Sequence, residues 1–425
     1  MHKVLVIAYY FPPMGLSGVQ RTLKFVKYLK NYNWEPTVIT TGKVAYFAHD
    51  DSLQKELDET GVRVIRVGGS EPNSLLSKKG TIKLPSEIIR KTFNRISQTF
   101  FIPDNKISWA KKAYKKALEI LSKEQFDCIF ITGPPFSQFD VFQSLKKVHN
   151  IPLILDYRDL WFESYFAFYP TPFHKYVHKK KEYRALKEAD IIVATNRKLK
   201  EKLLNTFPFL TFNDVVIIPH GFDKEDFYGI ARQDKPNNKM VLMYSGIFMV
   251  YSTPKYFLQA FKQLAMERTD IASNIELHFV GYLRKENQKL INKLNLQSFV
   301  KDHGYVSHSE AVSKLFSADV LWFMVGKRKS IEAILPGKIY EYIGSKKPII
   351  ACVPEGAAKM AVNDYKASFI TEPDNVDQIK NTIAQVYKLY NAGNLPKPDE
   401  KFVEGFRRDL LTEHLAKLFN KVLRV

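Results

Sequence analysis

Short, continuous apolar runs alternate with longer stretches of helical periodicity along most of the chain, the pattern of strand–helix units built on parallel sheets. In the first half the runs fall at residues 4–9, 37–41, 62–67, 128–132, 153–157, 191–194 and 215–219. Between them the spacing predicts amphipathic helices over 20–32, with Leu23, Val26 and Leu29 on one face, over 108–124 and over 172–188. Residues 223–239 break the rhythm: they are polar and aperiodic, the best linker in the chain. A second series follows, with runs at 240–244, 276–280, 300–303, 320–323, 349–353 and 367–370. A last helix is predicted over 402–422, from Phe406, Leu410, Leu415, Leu418 and Val422. The expectation is an α/β chain of two Rossmann-like, doubly wound domains facing across a cleft. Their bounds are 1–222 and 240–400, joined by the linker 223–239 and followed by a C-terminal helical segment 401–425.

Candidate chemistry gathers where strands end, because open α/β sheets bind ligands outside the carboxyl ends of their strands. The stretch from Leu335 to Pro348 reads as a turn at Pro336 and Gly337, then a short helix with Lys338 and Glu341 one turn apart, closed by Gly344 and Pro348. A cation and a carboxylate on one helix face, beside a helix N-terminus, suit a diphosphate with a diol next to it. The same spacing also fits an ordinary surface Lys/Glu pair. After the first strand, Gly15-Leu16-Ser17-Gly18 leads to Arg21 and a helix, a loop that lets backbone approach a ligand closely. It lacks the Gly-x-Gly-x-x-Gly spacing, which argues against a nicotinamide enzyme. Three further strand ends carry polar residues: Thr132 to Ser137, Asp156 to Trp161 with Arg158 and Asp159, and Pro219 to Asp223 with His220. The last two also have structural explanations, as an Arg/Asp neighbour pair with a core Trp161 and as a turn histidine.

Charge adds an anionic partner. The chain has 425 residues, with 64 Lys and Arg against 44 Asp and Glu, a formal net charge of +20. Between residues 78 and 116, eleven Lys and Arg stand against Glu87 and Asp104, interleaved with Ile88, Ile89, Phe93, Phe100 and Phe101. A second basic cluster runs from His174 to Lys181. Cations mixed with bulky apolar residues suit a segment resting on an anionic membrane surface, and equally a solvated helix face with a core side. Cys128 and Cys352 both lie inside apolar runs and read as buried small hydrophobes in a reducing compartment. The N-terminus goes straight into a strand, and no apolar run approaches the roughly 20 residues of a membrane span. These features point to a cytoplasmic protein, with a peripheral place on the inner face of the membrane.

Taken together and in order, six motifs resemble the GT-B-fold glycosyltransferases of family 4, in the branch that builds bacterial surface polysaccharides. They are the segments 10–21, 132–137, 156–161, 218–223 and 244–246, and Pro336-Gly337-Lys338-x-x-Glu341-Tyr342. The resemblance covers nearly the whole chain. It implies an acceptor-binding N-terminal domain, a nucleotide-sugar-binding C-terminal domain and a last helix returning to the N-terminal one. Transfer would retain the anomeric configuration. Glu341 would bind the ribose hydroxyls, while Lys338 and the backbone after Gly246 would hold the diphosphate of a UDP- or GDP-linked sugar. The loop with Gly15, Ser17, Gly18 and Arg21 would approach the phosphates or the acceptor. Arg158 or Asp159 would sit at the transferred sugar, with Thr132 and His220 lining the cleft. The acceptor would be a glycan, lipid-linked in this branch. With no Asp-x-Asp at a suitable strand end, no divalent ion and no other cofactor is expected.

The chain departs from the family pattern at three places. The family's paired glutamates, with seven residues between them, would need Glu at 333, where this chain has Ala333; Glu332 is one position off. The Arg and Lys that follow the family's glycine are missing from Ile247 to Pro254, leaving Lys255 or the run Lys327-Arg328-Lys329 as substitutes. His220 stands where relatives mostly carry Asn. Two other classes fit parts of the sequence: a sugar-nucleotide epimerase or phosphorylase on the same architecture, and a non-enzymatic basic protein binding membrane or nucleic acid. Fold alone does not choose among reactions. On the transferase reading no nucleic-acid partner is expected.

Overall fold

Val4 to Ile7 are wholly buried at the centre of a seven-stranded parallel sheet. A continuous apolar strand is stable there because helices cover both faces of such a sheet. This is the computed structural model of the chain, which describes residues 1–44, 46, 48–69, 87–228, 230, 238–248 and 252–423. It divides into two units, Met1–His220 with Arg408–Val425, and Gly221–Arg407. The basic residues Lys78, Lys79 and Lys83 and the apolar Leu75 and Leu76 lie outside the described residues.

In the first unit the strands are β1 (His2–Ile7), β2 (Trp34–Thr41), β3 (Arg63–Val67), β4 (Cys128–Gly133), β5 (Leu153–Tyr157), β6 (Ile191–Ala194) and β7 (Val215–Ile217). Their order is β3-β2-β1-β4-β5-β6-β7, and every pairing is parallel. The order reverses direction between β1 and β4, so a ligand crevice opens at the carboxyl ends of those two strands. Local chemistry sets the helix starts. Thr171 caps the helix Pro172–Glu188 by accepting from the His174 amide, with Pro172 at the first helical position. Asn196 caps Arg197–Thr206 through the Leu199 amide at 2.9 Å.

The second unit holds β8 (Met240–Ser245), β9 (Ile275–Val280), β10 (Val300–Asp302), β11 (Val320–Met324), β12 (Ile349–Cys352) and β13 (Ser368–Thr371). All are parallel, in the order β10-β9-β8-β11-β12-β13. The direction reverses between β8 and β11, giving this unit its own crevice. Both sheets are therefore the Rossmann-like arrangement expected from the sequence. Of the stretch read as a linker, Lys224–Phe227 is a 3₁₀ turn within the second unit, while residues 229 and 231–237 lie outside the described residues.

The single helix expected over 402–422 is instead two. Glu400–Glu404, capped by Asp399, ends at Gly405, and a new helix runs from Arg408 to Val422. Apolar periodicity carries across the gap, which is why the sequence conceals it. What interrupts the helix is backbone pairing: the Phe222 amide donates to the Phe406 carbonyl at 3.0 Å, and Phe222 bridges Arg407. Helix Arg408–Val422 then belongs to the first unit. Its Leu411, Leu415 and Phe419 enter the core around β1, where Phe419 meets Trp34 and Phe130 edge-on at 5.0 and 5.7 Å. Each such buried side chain contributes roughly 1.5–3 kcal/mol.

Candidate functional site

In the second unit, the crevice is built around the end of β8. The Ser245 amide donates to the Tyr342 hydroxyl at 2.7 Å, which ties the short helix Lys338–Gly344 to that strand end. Gly246 follows at φ +119°, and its amide donates to the Val280 carbonyl at 2.7 Å. A side chain there would be both strained and blocked: a Cβ on Gly246 would lie 2.8 Å from Lys338 Nζ. Gly281 approaches from β9, where its own Cβ would fall 2.7 Å from the Gly246 oxygen. Gly246 and Lys338, read from the sequence as parts of one site, are thus in contact.

Lys338 donates to the Tyr244 hydroxyl and holds its ammonium 3.7 Å from the centre of the Tyr244 ring, a cation–π geometry. Tyr244 is in turn stacked on Phe248 at 3.9 Å. Burial pushes the Lys338 ammonium down to about 7, only partly opposed by the Glu341 carboxylate. The helix N-terminus contributes less than expected. The amides of Ile339 and Tyr340 already donate to the carbonyls of Pro336 and Gly337, at 3.1 and 3.2 Å. Among the described residues, the Lys338 ammonium is a positive group held beside this strand end.

Glu341 has a neighbour that sequence reading missed. His308, the first residue of helix His308–Ser317, sets Nδ1 3.4 Å from Glu341 Oε1. Its Nε2 lies 3.0 Å from Asp226 Oδ2 in the 3₁₀ turn. Serine at 307, which caps that helix, was the available signal. The Glu332 carbonyl accepts from Ala357 at 2.8 Å, its backbone lies where a Cβ on Gly356 would be, and Ala333 is buried. Lys327, one possible substitute cation, pairs with Glu372 and Asp374 at 3.0 and 2.8 Å.

In the first unit the loop after β1 is held from below. Gly15 donates to the Ala48 carbonyl at 2.6 Å, Leu16 turns through φ 79°, and helix Ser17–Leu29 begins. Arg158, just past β5, donates through Nη1 to the Gly18 carbonyl at 2.7 Å, through Nε to Gly133 at 3.2 Å, and through Nη2 to Pro134. It clamps the loops after β1 and β4 together across the crevice. A Cβ on Gly18 would come within 2.5 Å of that guanidinium. Arg158, expected at the sugar, has its donors on the carbonyls of Gly18, Gly133 and Pro134.

Arg21 likewise does not join an open phosphate loop. It is 2 % exposed, paired to Asp156 through Nη2 at 2.7 Å and Nε at 3.1 Å, and donates to the Ile218 and Pro219 carbonyls. Thr132 completes the cluster, donating to Asp156 at 2.8 Å. His220, beside it, is held neutral: burial and the charges of Arg21, Arg158 and Arg408 drive its pKa well below the usual value.

Asp159 lines a cavity of about 260 Å³ with Tyr10, Lys106, Phe136, Trp161 and Tyr169. Burial raises its carboxyl pKa, with Arg158 pulling the other way. Trp161 stacks on Phe136 at 5.3 Å and donates to His178 Nδ1 at 3.1 Å. Flat aromatic walls with a few polar groups suit a saccharide ring.

The model of Glycosyltransferase Family 4 matches residues 18–226, and that of Glycosyl transferases group 1 matches residues 230–404. Between them they leave out only residues 1–17, 227–229 and 405–425. No curated protein matches the sequence. Among solved structures, the chain is similar to a glycosyltransferase from Rickettsia africae ESF-5, at 17% identity and a TM-score of 0.67, covering 99% of this chain and 98% of that one. It is also similar to Anabaena Alr3699/HepE in complex with UDP, at 13% identity and TM-score 0.65, covering 99% and 100%. A third is WaaG, a glycosyltransferase involved in lipopolysaccharide biosynthesis, at 12% identity and TM-score 0.59, covering 98% and 99%. These likenesses concern the fold. With a family model on each half and two Rossmann-like units, the chain belongs to the glycosyltransferases of the GT-B fold.

Proposed function

We propose that this enzyme is a retaining, metal-independent transferase moving a sugar from a UDP- or GDP-linked donor to a lipid-linked glycan in cell-surface polysaccharide synthesis. The observation that carries the donor half is the contact of Gly246 with Lys338, one helical turn from Glu341, at the carboxyl edge of β8. Departure of a nucleoside diphosphate builds negative charge, and a fixed cation beside a side-chain-free strand end is suited to stabilise it. Lys338 would meet the diphosphate, and Glu341 the ribose hydroxyls. Glu332 would face the transferred sugar. The acceptor glycan would enter the aromatic cavity of the first unit at Asp159, with Arg158 keeping the loop of Gly15, Ser17 and Gly18 in place.

The lipid-linked part of the reading has its own support. One face of helix Glu87–Phe100 meets the rest of the unit: Arg95 lies over the Phe168 ring, Gln98 bonds the Phe166 carbonyl and the Phe168 amide, and the Thr99 carbonyl meets His174. The opposite face presents Phe93, Ile96 and Phe100 at 68, 50 and 77 % exposure. Phe173 and Tyr176, also exposed, lie among the lysines of the next basic cluster. An apolar face flanked by cations suits the surface of an anionic bilayer, where each cation contributes about 1 kcal/mol. Among the described residues no helix is long and apolar enough to cross a membrane.

A thermal-shift series with UDP- and GDP-sugars tests the donor half, since a ligand of the native state raises the melting temperature. Selective stabilisation by one nucleotide class is expected, followed by transfer to a lipid-linked glycan with the anomeric centre unchanged by NMR. Turnover of the nucleotide-sugar with no acceptor product would instead identify an epimerase. Stabilisation by none of these sugars would overturn the proposal.

A further inference from the structure

The imidazole of His308 stands between two carboxylates of the second unit, Glu341 at 3.4 Å and Asp226 at 3.0 Å. The three side chains are only 9, 16 and 17 % exposed for His308, Glu341 and Asp226. They come from three separate elements: the start of helix His308–Ser317, the helix Lys338–Gly344 and the 3₁₀ turn Lys224–Phe227. The ring is held in turn. Ser307 caps its helix through the Glu310 amide, and Phe316 at the far end meets Phe227 of the 3₁₀ turn at 5.6 Å. A glutamate side chain has three rotatable bonds, and ordering it costs entropy that a neighbouring group can remove beforehand.

We infer that His308 is a positioning residue for the donor: it takes one oxygen of Glu341 and, anchored by Asp226, leaves the other oriented for a nucleotide's pentose diol. The inference rests on the proposed role of Glu341, and it assigns to residues 226 and 308 a share in nucleotide recognition. A ring nitrogen facing each carboxylate fixes the carboxylate of Glu341 from outside its own helix, as outer partners orient the groups that touch a ligand. Lys338 donates to Tyr244 and is coupled to Glu341 through charge. Removing His308 or altering Asp226 therefore leaves the lysine's own contacts in place.

The experiment measures affinities of UDP and GDP, of their 2′,3′-dideoxy forms and of inorganic pyrophosphate by calorimetry. It uses the full chain and the variants His308→Ala, Asp226→Asn and Glu341→Ala. Wild type is expected to favour the ribonucleotide over its dideoxy form by about tenfold or more, the scale of a hydrogen bond to a charged group. His308→Ala should lose most of that preference, approaching Glu341→Ala, while binding pyrophosphate as wild type does. Asp226→Asn, which leaves the histidine in place, should lose part of it. If wild type discriminates and both His308→Ala and Asp226→Asn keep the full preference, the inference fails while the donor reading stands. If wild type binds both forms equally, the assignment of Glu341 fails and this inference with it.

Discussion

Arg21 and Asp156 form a buried ion pair 135 residues apart in sequence, with Nη2 of the arginine 2.7 Å from Oδ1 of the aspartate. The same guanidinium reaches the Ile218 and Pro219 carbonyls, so it joins the first helix to the ends of β5 and β7. Removing one partner strands a charge in the core. Arg21→Ala is expected to lower unfolding stability by about 3–5 kcal/mol in urea titration. Arg21→Lys should recover little, because a single ammonium cannot reproduce the fork that meets the carboxylate and two carbonyls.

Lys338 should make nucleotide binding depend on pH. Its folded pKa, about 7, lies below the ordinary lysine value of 10.5. Below pH 7 the ammonium is charged and ready for a diphosphate. Above it the group must first take up a proton, so affinity is expected to fall by up to tenfold per pH unit. Calorimetry in buffers of different ionisation enthalpy should register that uptake. In the free protein the sign is opposite: the unfolded chain holds the extra proton between pH 7 and about 10.5, so Lys338 lets stability rise across that window.

Truncating either grip on the donor should be felt in binding far more than in folding. Lys338→Ala and Glu341→Ala are each expected to weaken nucleotide-sugar affinity by at least tenfold, a loss of about 1.4 kcal/mol. Circular dichroism should remain as in wild type. Unaltered affinity in both variants would remove them from the site.

Gly246→Ala tests the strand end itself. The new Cβ meets Lys338 Nζ at 2.8 Å on a backbone with φ +119°. Strain of about 1–3 kcal/mol is expected in the melting curve, together with displacement of the lysine and loss of nucleotide binding. A fully active, fully stable variant would show that this close approach is not needed.

The exposed face of helix Glu87–Phe100 predicts a vesicle phenotype. Phe93→Ser combined with Phe100→Ser should reduce sedimentation with vesicles rich in anionic phospholipid, and leave binding of soluble nucleotide unchanged. Higher salt should weaken wild-type binding, since surface cations are screened over about 8 Å at physiological ionic strength. Equal sedimentation of wild type and variant would count against this face.

Much of the fold was legible because parallel strands, buried on both sides, appear as uninterrupted apolar runs. The run at 349–353, for instance, became β12, wholly buried at Ile349 to Ala351. What the pattern cannot show is where a side chain points. Arg21, in a glycine-rich loop, looked available for phosphate, yet its partner Asp156 lies four strands away in the sequence order of the sheet. Arg158 stood at a promising strand end but its donors meet the carbonyls of Gly18, Gly133 and Pro134. His308 carried no motif, since both its carboxylate neighbours come from distant segments. The interruption at Gly405 was hidden because Phe402 and Phe406 keep helical spacing, and only pairing with Phe222 reveals it.

That pairing gives the chain an unusual editability. Residues 221–407 form one continuous insertion within the first unit, and its two ends are stitched together where Phe222 meets Phe406 and Arg407. A replacement cassette from another donor-binding unit could be spliced in at these adjacent points without rethreading the remainder. The terminal helix, by contrast, fills the core beside Trp34 and Phe130, so shortening the chain from its end removes a wall of the other unit.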